Sequence, residues 1–158
     1  MKKTNAVRIL DGHKIKYELR DYIVDENDLK AETVANKIDV PLVQVFKTLV
    51  VKGDKLGVML ACIPGGEELD LKALAGISQN KKVGMVPLKD ILGLTGYIRG
   101  GVSPLGVKKN YPLFVEEKII QYPFVSISAG VRGCQILIDP KALLAVVQGT
   151  LCTISRPI

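Results

Sequence analysis

Two apolar runs separated by a polar turn dominate the middle of the chain, in the segment FKTLVVKGDKLGVMLACIPGG at residues 46–66. Each run has the composition of a β-strand, and the turn KGDK between them predicts a β-hairpin. Strands that are apolar at almost every position are typical of the interior of a sheet, because both of their faces are covered. We therefore expect this hairpin at the centre of the fold.

Helical spacing and capping residues predict helices in five other segments. These segments are 4–10, 29–39, 67–76, 87–96 and 139–149. The last has the strongest signals, because Asp139 stands at the N-cap, Pro140 at the first helical position and Gly149 just past the end. Thr4 offers an N-cap to the first helix, and Gly76 is expected to stop the third.

The remaining strands are predicted from short runs of alternating or continuous apolar residues. They are 14–20, 80–86, 111–117, 124–128, 134–138 and 151–155. Strands and helices are mixed without a regular βαβ repeat, which predicts a mixed α/β (α+β) fold around a strongly curved sheet. A chain of 158 residues with 47% hydrophobic content can bury one core, so we expect a single domain over residues 1–158.

Composition narrows the class of protein further. No apolar run reaches the roughly 18 residues of a membrane span, and no apolar stretch follows the N-terminal lysines as a signal peptide requires. We expect a cytoplasmic protein without a membrane partner. The cysteines, Cys62, Cys134 and Cys152, lie among apolar neighbours and are expected to be buried free thiols. His13 is the single histidine, so neither a zinc site nor a Ser–His–Asp triad is expected.

The net charge of +6 and the pI near 9.2 weakly favour a polyanionic partner. The short basic runs NKK (80–82) and VKKN (107–110) are more typical of a solvated surface than of a phosphate clamp. Charge alone therefore leaves nucleic-acid binding open.

Lys47 stands at the start of the most hydrophobic strand, in QVFKTLVV. A buried ammonium is unfavourable unless it has a partner. The side chain either extends to solvent at the strand end or places a cation at the bottom of a pocket, where it holds a carbonyl or a phosphate.

The segment TGYIRGGVSPLG, at 95–106, is the second candidate for a site. Gly100 and Gly101 permit close approach of a ligand to the backbone, and Ser103 adds a hydroxyl. Pro104 restricts the backbone where the chain leaves the loop. The segment matches neither the Walker A pattern nor GxGxxG, so an ordinary tight turn is the alternative. The same two interpretations apply to SAGVRG at 128–133.

Taken together, these segments resemble the YbaK/EbsC family, the free-standing relatives of the editing domain inserted in bacterial prolyl-tRNA synthetases. The resemblance spans nearly the whole chain. It is carried by DY with Tyr22, QVFKTLVV with Lys47, LDLKAL, TGYIRGGVSPLG followed by KK, and SISAGVRG.

The resemblance implies hydrolysis of mischarged aminoacyl-tRNA, most often cysteine esterified to proline tRNA, in a barrel-like α/β domain without metal or cofactor. The implied partners are the aminoacylated 3′ end of tRNA and, as a further possibility, prolyl-tRNA synthetase. An alanyl-tRNA or broad small-residue deacylase, a non-catalytic module that binds tRNA ends or nucleotides, and a synthetase-docking protein remain alternatives.

The resemblance also implies roles for individual residues. Lys47 and the N–H groups of Gly100 and Gly101 correspond to the catalytic groups. The implied substrate-binding residues are Tyr22, Leu29, Thr48, Ser103, Pro104, Ser128, Gly130 and Gln135. Gln135 stands where many relatives carry an acidic residue, Leu29 near a position that is often aromatic, and Ala129 in place of a common glycine. The first two departures bear on amino-acid specificity.

Overall fold

The computed structural model describes residues 3–158. The helices are α1 (Asn5–Gly12), α2 (Ala31–Ile38), α3 (Leu71–Ile77), α4 (Ile91–Thr95) and α5 (Pro140–Val147). The strands are β1 (Glu18–Asp21), β2 (Phe46–Gly53), β3 (Gly57–Pro64), β4 (Glu67–Leu69), β5 (Val83–Met85), β6 (Leu113–Glu116), β7 (Val125–Ser128), β8 (Cys134–Ile138), β9 (Thr150–Cys152) and β10 (Ser155–Pro157). Short 3-10 helices occupy Leu42–Gln44, Leu88–Asp90 and Glu117–Gln121. Thr4 and Asp139 cap α1 and α5 as predicted.

The predicted hairpin forms the centre of the larger sheet. β2 and β3 pair in antiparallel register along their whole length, within a five-stranded sheet of order β5-β2-β3-β6-β9. Val50 and Leu60 pack into one hydrophobic cluster, whereas Val51 and Met59 pack into another on the opposite face. The hairpin is apolar at almost every position because both faces are buried.

The mixed α/β class is confirmed, but the barrel-like closure is not found. The strands within residues 3–158 form the five-stranded sheet, a three-stranded sheet of order β1-β8-β7 and the pair β10-β4. The two larger sheets meet through one isolated parallel bridge, between Val45 and Ser126. A single bridge cannot continue the hydrogen-bond ladder, so the sheets remain open to each other.

This incomplete closure leaves a gap along one edge of β2. β5 pairs with β2 only from Val51 to Gly53, and Val86 N–H adds one bond to the Val50 carbonyl. At the other end of β2, the Val45 bridge holds β7. Residues 46–49 therefore pair with β3 on one side and with no strand on the other.

α1 and the C-terminal segment both pack into the body that contains this gap. Val7 and Leu10 of α1 are fully buried in the same cluster as Val50. Glu116, at the end of β6, accepts hydrogen bonds from the N–H groups of Ile154 and Ser155. Burial alone would raise the pKa of the Glu116 carboxyl, but these hydrogen bonds outweigh it and lower the pKa. Glu116 thus anchors the C-terminal segment as a carboxylate.

The helix predicted over 67–76 was wrong at both ends. Glu67–Leu69 forms β4, because Ser155–Pro157 pairs with it from the far end of the chain. The helix begins only after Asp70, whose carboxylate caps it by accepting from Ala73 N–H at 3.0 Å. Gly76 does not stop α3, which continues to Ile77.

Two other boundaries also differ from expectation. β1 begins at Glu18 and ends at Asp21, four residues later and one residue later than the predicted 14–20 strand, because β8 lies opposite those residues alone. α5 ends at Val147, and its C-cap Gln148 adopts the left-handed conformation expected one residue later at Gly149.

Candidate active site

A cavity of about 770 Å³ occupies the gap along β2. Of the site residues predicted from sequence, the following line it: Tyr22, Leu29, Lys47, Thr48, Gly100, Ser128 and Gln135. Segments distant in the sequence therefore meet here, from the loop after β1, from β2, from the glycine-rich loop and from the β7–β8 pair. We call this cavity the active cavity.

Lys47 brings a cation to the active cavity. The side chain is half-buried, and Nζ donates to the Gly65 carbonyl at 3.1 Å. An ammonium carries three N–H donors, so two remain for a ligand. Burial lowers the pKa of Lys47, while the charges of Glu32 and Glu68 oppose the shift. Neither carboxylate pairs with it directly, so the charge is held near the cavity without being neutralised by contact.

Thr48 contributes its backbone to the cavity wall. The N–H and C=O groups of a strand alternate between its two edges. The Val50 carbonyl accepts from Val86 on the open edge, so the backbone groups of Thr48, two residues earlier, face the same edge. The Thr48 side chain instead lies opposite Cys62 on β3.

The glycine-rich loop reaches the cavity through a tight turn. Gly101 N–H donates to the Ile98 carbonyl at 2.8 Å, and Gly100 has φ of +83°. Glycine is favoured at the third position of such a turn because a positive φ is required there. The turn engages the N–H of Gly101, and Gly100 itself lines the active cavity.

The other predicted residues lie behind this surface. They are Gly101, Ser103, Pro104 and Gly130, and none of them lines the active cavity. Ser103 is fully buried, and its hydroxyl accepts from Leu105 N–H at 3.2 Å. Gly130 N–H donates to the Ser128 hydroxyl oxygen at 3.0 Å. In this arrangement Ser103 and Gly130 support the loops that carry the cavity residues.

Tyr97 joins the two glycine-containing loops, a role that sequence reasoning missed. Its buried hydroxyl donates to the Leu105 carbonyl at 2.6 Å, and burial raises its pKa. A Cβ on Gly130 would lie 2.8 Å from Tyr97 Cε1, and one on Gly106 2.8 Å from the Tyr97 hydroxyl oxygen. The lone aromatic residue within a glycine-rich segment was the signal for this role.

Arg132 links two loops at the mouth of the cavity. Its Nε donates to the Arg99 carbonyl at 2.7 Å, and its Nη1 binds the carboxylate of Glu26. Leu29 lies close by, since a Cβ on Gly100 would be 3.2 Å from Leu29 Cδ1. The glycine-rich loop and the loop after β1 therefore meet at this rim.

The wall formed by β7 and β8 presents hydrogen-bond donors. Ser126 is fully buried and donates to Gln135 Oε1 at 2.7 Å. This bond satisfies the only proton of the Ser126 hydroxyl and turns the Gln135 amide nitrogen away from it. Gln135 is 6% exposed and lines the active cavity, as does Ser128 at 8%, whose oxygen already accepts from Gly130. The Gln135 amide nitrogen and the Ser128 hydroxyl proton are the donors that this wall can offer to a ligand.

The cysteines are buried free thiols, as predicted. Burial raises the pKa to about 12 for Cys62 and Cys134 and to about 11 for Cys152. Thiols in this state are poor nucleophiles at neutral pH. Within residues 3–158, no group of three or more His, Cys, Asp or Glu side chains converges as metal ligands would, and no helix is long and apolar enough to cross a membrane.

Solved structures share this fold. The chain superposes on the crystal structure of a hypothetical protein with a TM-score of 0.88 at 20% identity, covering 97% of this chain and all of the other. It superposes on a candidate trans-editing enzyme for prolyl-tRNA synthetase with a TM-score of 0.81 at 22% identity, covering 98% of this chain and 99% of the other.

Two relatives found by sequence share a higher identity with the chain than these solved structures do. The chain is 46% identical, over 97% of its length and 93% of the relative, to EbsC of Enterococcus faecalis, a candidate Cys-tRNA(Pro)/Cys-tRNA(Cys) deacylase. It is 33% identical over 100 residues to a proline–tRNA ligase of Fervidobacterium nodosum, of which it spans 17%. The profile of the aminoacyl-tRNA editing domain matches residues 25–146. The chain therefore belongs to the aminoacyl-tRNA editing domain family.

Proposed function

We propose that this protein is a trans-editing deacylase that removes cysteine from mischarged proline tRNA in the cytoplasm. The observation that supports this most is the convergence of Lys47 and Gly100 on one cavity whose wall presents donors from Ser128 and Gln135. Such a site suits an ester, whose carbonyl develops negative charge when it is attacked. Relatives named for cysteine deacylation and prolyl-tRNA charging support the choice of substrate.

The need for such an enzyme is physical. A synthetase pocket built for proline discriminates poorly against other small side chains, because a difference of one methylene is worth only about 1–3 kcal/mol. A second site that destroys the wrong ester removes the error. The ester is already activated, so the enzyme mainly has to hold it in a reactive geometry.

The substrate's own thiol is the nucleophile in this proposal. The cysteine sulfur attacks its own carbonyl carbon and forms a cyclic thioester, while the C–O bond to the tRNA breaks. The thiol proton leaves with the 3′ oxygen of the tRNA, and water later opens the thioester to free cysteine. Intramolecular attack of this kind reaches effective molarities of about 10⁵ M or more when the geometry is held.

Each cavity residue has a part in this reaction. Lys47 offsets the negative charge on the carbonyl oxygen or holds the terminal sugar-phosphate. The N–H of Gly100 contacts the aminoacyl group, within a turn that Gly101 closes. Tyr22, Leu29 and the backbone of Thr48 position the terminal adenosine and the amino acid.

The donor wall bears on which amino acid is accepted. Ser128 and Gln135 offer hydrogens to a sulfur or oxygen acceptor, and a thiolate that accepts them is stabilised as it forms. A methyl group has no acceptor, so alanine would leave buried donors unpaired, which costs about 1–3 kcal/mol. Cysteine is therefore the preferred small residue.

The editing unit is the whole chain, residues 1–158. The family profile ends at residue 146, yet β10 pairs with β4 and Ile154 is fully buried. A tRNA-selecting partner such as prolyl-tRNA synthetase would complete the system, because specificity for one tRNA needs contacts beyond the 3′ end.

The experiment that tests the proposal compares Lys47→Ala with Lys72→Ala on cysteinyl-tRNA(Pro). Lys72 is an exposed lysine on α3 outside the active cavity, so its variant controls for loss of charge. Removal of an electrostatic group of this kind typically lowers kcat about 10²–10³-fold. We expect such a loss in Lys47→Ala alone, with an unchanged melting temperature. Equal activity of the folded Lys47→Ala variant would reject the site.

A further inference from the structure

A second cavity, of about 960 Å³, lies on the other side of β5. Three lysines line it: Lys52 of β2, Lys82 just before β5, and Lys89 in the 3-10 helix after it. We call this second cavity the lysine groove. None of the sequence motifs discussed above includes these lysines together, because they meet only when β5 pairs with the end of β2.

The lysine groove adjoins the active cavity. Met85, Val86 and Pro87 line both, so one short segment forms the ridge between them. Met85 is 52% exposed, which leaves an apolar surface on that ridge. A chain leaving the active cavity over β5 would therefore enter the groove directly.

The lysines of the groove are free to bind an anion. All three are exposed, and none pairs with a carboxylate in the part of the chain that the structure describes. The groove also contains Asp54 and Asp90. The Asp54 carboxylate is engaged by the backbone N–H groups of Lys81 and Lys82, the first at 2.9 Å and the second at 3.2 Å.

A fourth lysine extends the positive surface. Lys108 Nζ lies 3.4 Å from the carbonyl oxygen of Gly93, which lines the groove. The formal charge of the lysines and aspartates lining the groove is +1, from three lysines and two aspartates, and Lys108 brings the region to +2.

The opposite rim of the active cavity carries charges of both signs, since Lys30 and Lys37 line it together with carboxylates. Asp25 and Asp28 line the cavity there, and Glu26 stands between them, paired with Arg132. Hydrogen bonds from Thr33 and the Lys30 N–H lower the pKa of Asp28, so its carboxylate stays charged. A phosphate chain leaving on this side would meet two carboxylates and two lysines of the cavity lining, whereas one leaving over β5 would meet three lysines and two carboxylates, one of which is engaged by backbone N–H groups.

We infer that the lysine groove binds the phosphodiester backbone of the tRNA acceptor end as it leaves the active cavity. The inference rests on the proposed function, because it assumes that the aminoacylated terminal nucleotide occupies that cavity. The preceding nucleotides pass over Met85 and Pro87, and Lys52, Lys82 and Lys89 then contact their phosphates. Such contacts fix position and carry no base information, which suits an enzyme that leaves tRNA selection to a partner.

The test is a charge-matched pair of triple variants. The groove variant is Lys52→Gln/Lys82→Gln/Lys89→Gln. The control is Lys16→Gln/Lys72→Gln/Lys141→Gln, which removes the same charge from exposed lysines that line neither cavity. Affinity for an uncharged proline tRNA transcript is measured against salt concentration. Each lost phosphate contact reduces the slope of log K against log salt by about 0.7–1, so we expect a reduction of about 2–3 in the groove variant alone.

Turnover separates this inference from the proposed function. On cysteinyl-tRNA(Pro), the groove variant is expected to raise KM about tenfold or more. On a cysteinyl ester of adenosine, which has no phosphodiester, it should change the rate no more than the control does. Equal slopes in the two triple variants would overturn the inference even if the wild type is an active deacylase. If the wild type cleaved no ester, the salt slopes would still decide whether the groove binds RNA.

Discussion

The active cavity and the lysine groove lie on either side of β5 and hold their cations differently. In the active cavity, Lys47 is half-buried, its pKa is lowered by burial, and the Gly65 carbonyl fixes one of its donors. In the groove, Lys52, Lys82 and Lys89 are exposed. A cation that is partly desolvated and fixed can stabilise charge that develops in a reaction. Exposed, mobile cations instead contribute screened attraction to an anion that is already present.

The difference extends to the neighbouring backbone. The active cavity is bordered by an unpaired strand edge and by a glycine turn held through Tyr97. The groove follows β5, whose three residues all pair with β2. We therefore assign the deacylation step to the gap between the two larger sheets. We assign RNA binding to the lysine groove, which follows the edge strand β5.

After Lys47→Ala, the variant expected to separate the two regions most is Gly100→Ala. It should lower deacylation in the active cavity and leave RNA binding in the lysine groove unchanged. Alanine at φ of +83° is strained, and its Cβ would press on Leu29 Cδ1 at 3.2 Å. A strain of about 1–3 kcal/mol would lower deacylation between about fivefold and 150-fold. Binding of uncharged tRNA through the groove should not change. Single-turnover rates and tRNA affinity on the same preparation measure both.

Gly76→Ala is the matched control for that variant. Gly76 lies inside α3, and a Cβ there meets nothing within 4 Å outside its own helix and chain neighbours. Alanine in a helix is more stable than glycine by about 0.5–1 kcal/mol, so this variant should be fully active and slightly more stable. Normal activity in Gly100→Ala would contradict the role of the turn.

A smaller effect, on specificity, is expected from Gln135→Leu. The variant removes the amide donor from the cavity wall, and a neutral hydrogen bond is worth about 0.5–1.5 kcal/mol. Cysteinyl-tRNA(Pro) cleavage should fall about threefold to tenfold, whereas any residual alanyl-tRNA cleavage should not. Relative rates on the two esters provide the measurement.

The double variant Ser126→Ala/Gln135→Leu tests whether Gln135→Leu acts by disturbing the packing of β7 and β8. Gln135→Leu alone leaves the buried Ser126 hydroxyl without its acceptor, so its melting temperature should fall. The double variant removes that unpaired group and should recover stability without recovering the preference for cysteine. Recovery of both would mean that Gln135 acts only through the packing of β7 and β8.

The smallest effect concerns pH. Because burial lowers the pKa of Lys47, its protonated fraction declines at a lower pH than that of an ordinary lysine. Enzyme-catalysed deacylation, corrected for spontaneous hydrolysis, should therefore fall at the alkaline end, while groove binding persists. Lys47→Arg, whose guanidinium stays charged, should lose that alkaline decline. An unchanged profile in Lys47→Arg would assign the titration to another group.

The parts of this account that could be predicted from sequence depend on local signals. The hairpin was predictable because its strands are buried on both faces, and α5 because Asp139 and Pro140 are adjacent in the sequence. Lys47 was predictable as a charge in an apolar strand, and Gly100 as part of a glycine pair. These signals lie within a few residues of the feature they predict.

The remainder depends on pairings between distant segments. β4 was predicted as helix because its partner, β10, lies more than 80 residues away. The hydrogen bond that orients Gln135 comes from Ser126 on a neighbouring strand. The open edge of β2 exists only because the sheets meet at a single bridge, and the groove only because β5 brings its lysines together. Sequence patterns of single segments contain none of this information.

The most direct test of the central claim is single-turnover deacylation of proline tRNA charged in parallel with cysteine, alanine and proline. We predict rapid loss of the cysteine ester, slower loss of the alanine ester and retention of the proline ester. Faster loss of alanine than of cysteine would contradict the thiol mechanism and the role of the donor wall. Retention of all three esters by a protein that still binds tRNA would contradict the deacylase assignment itself.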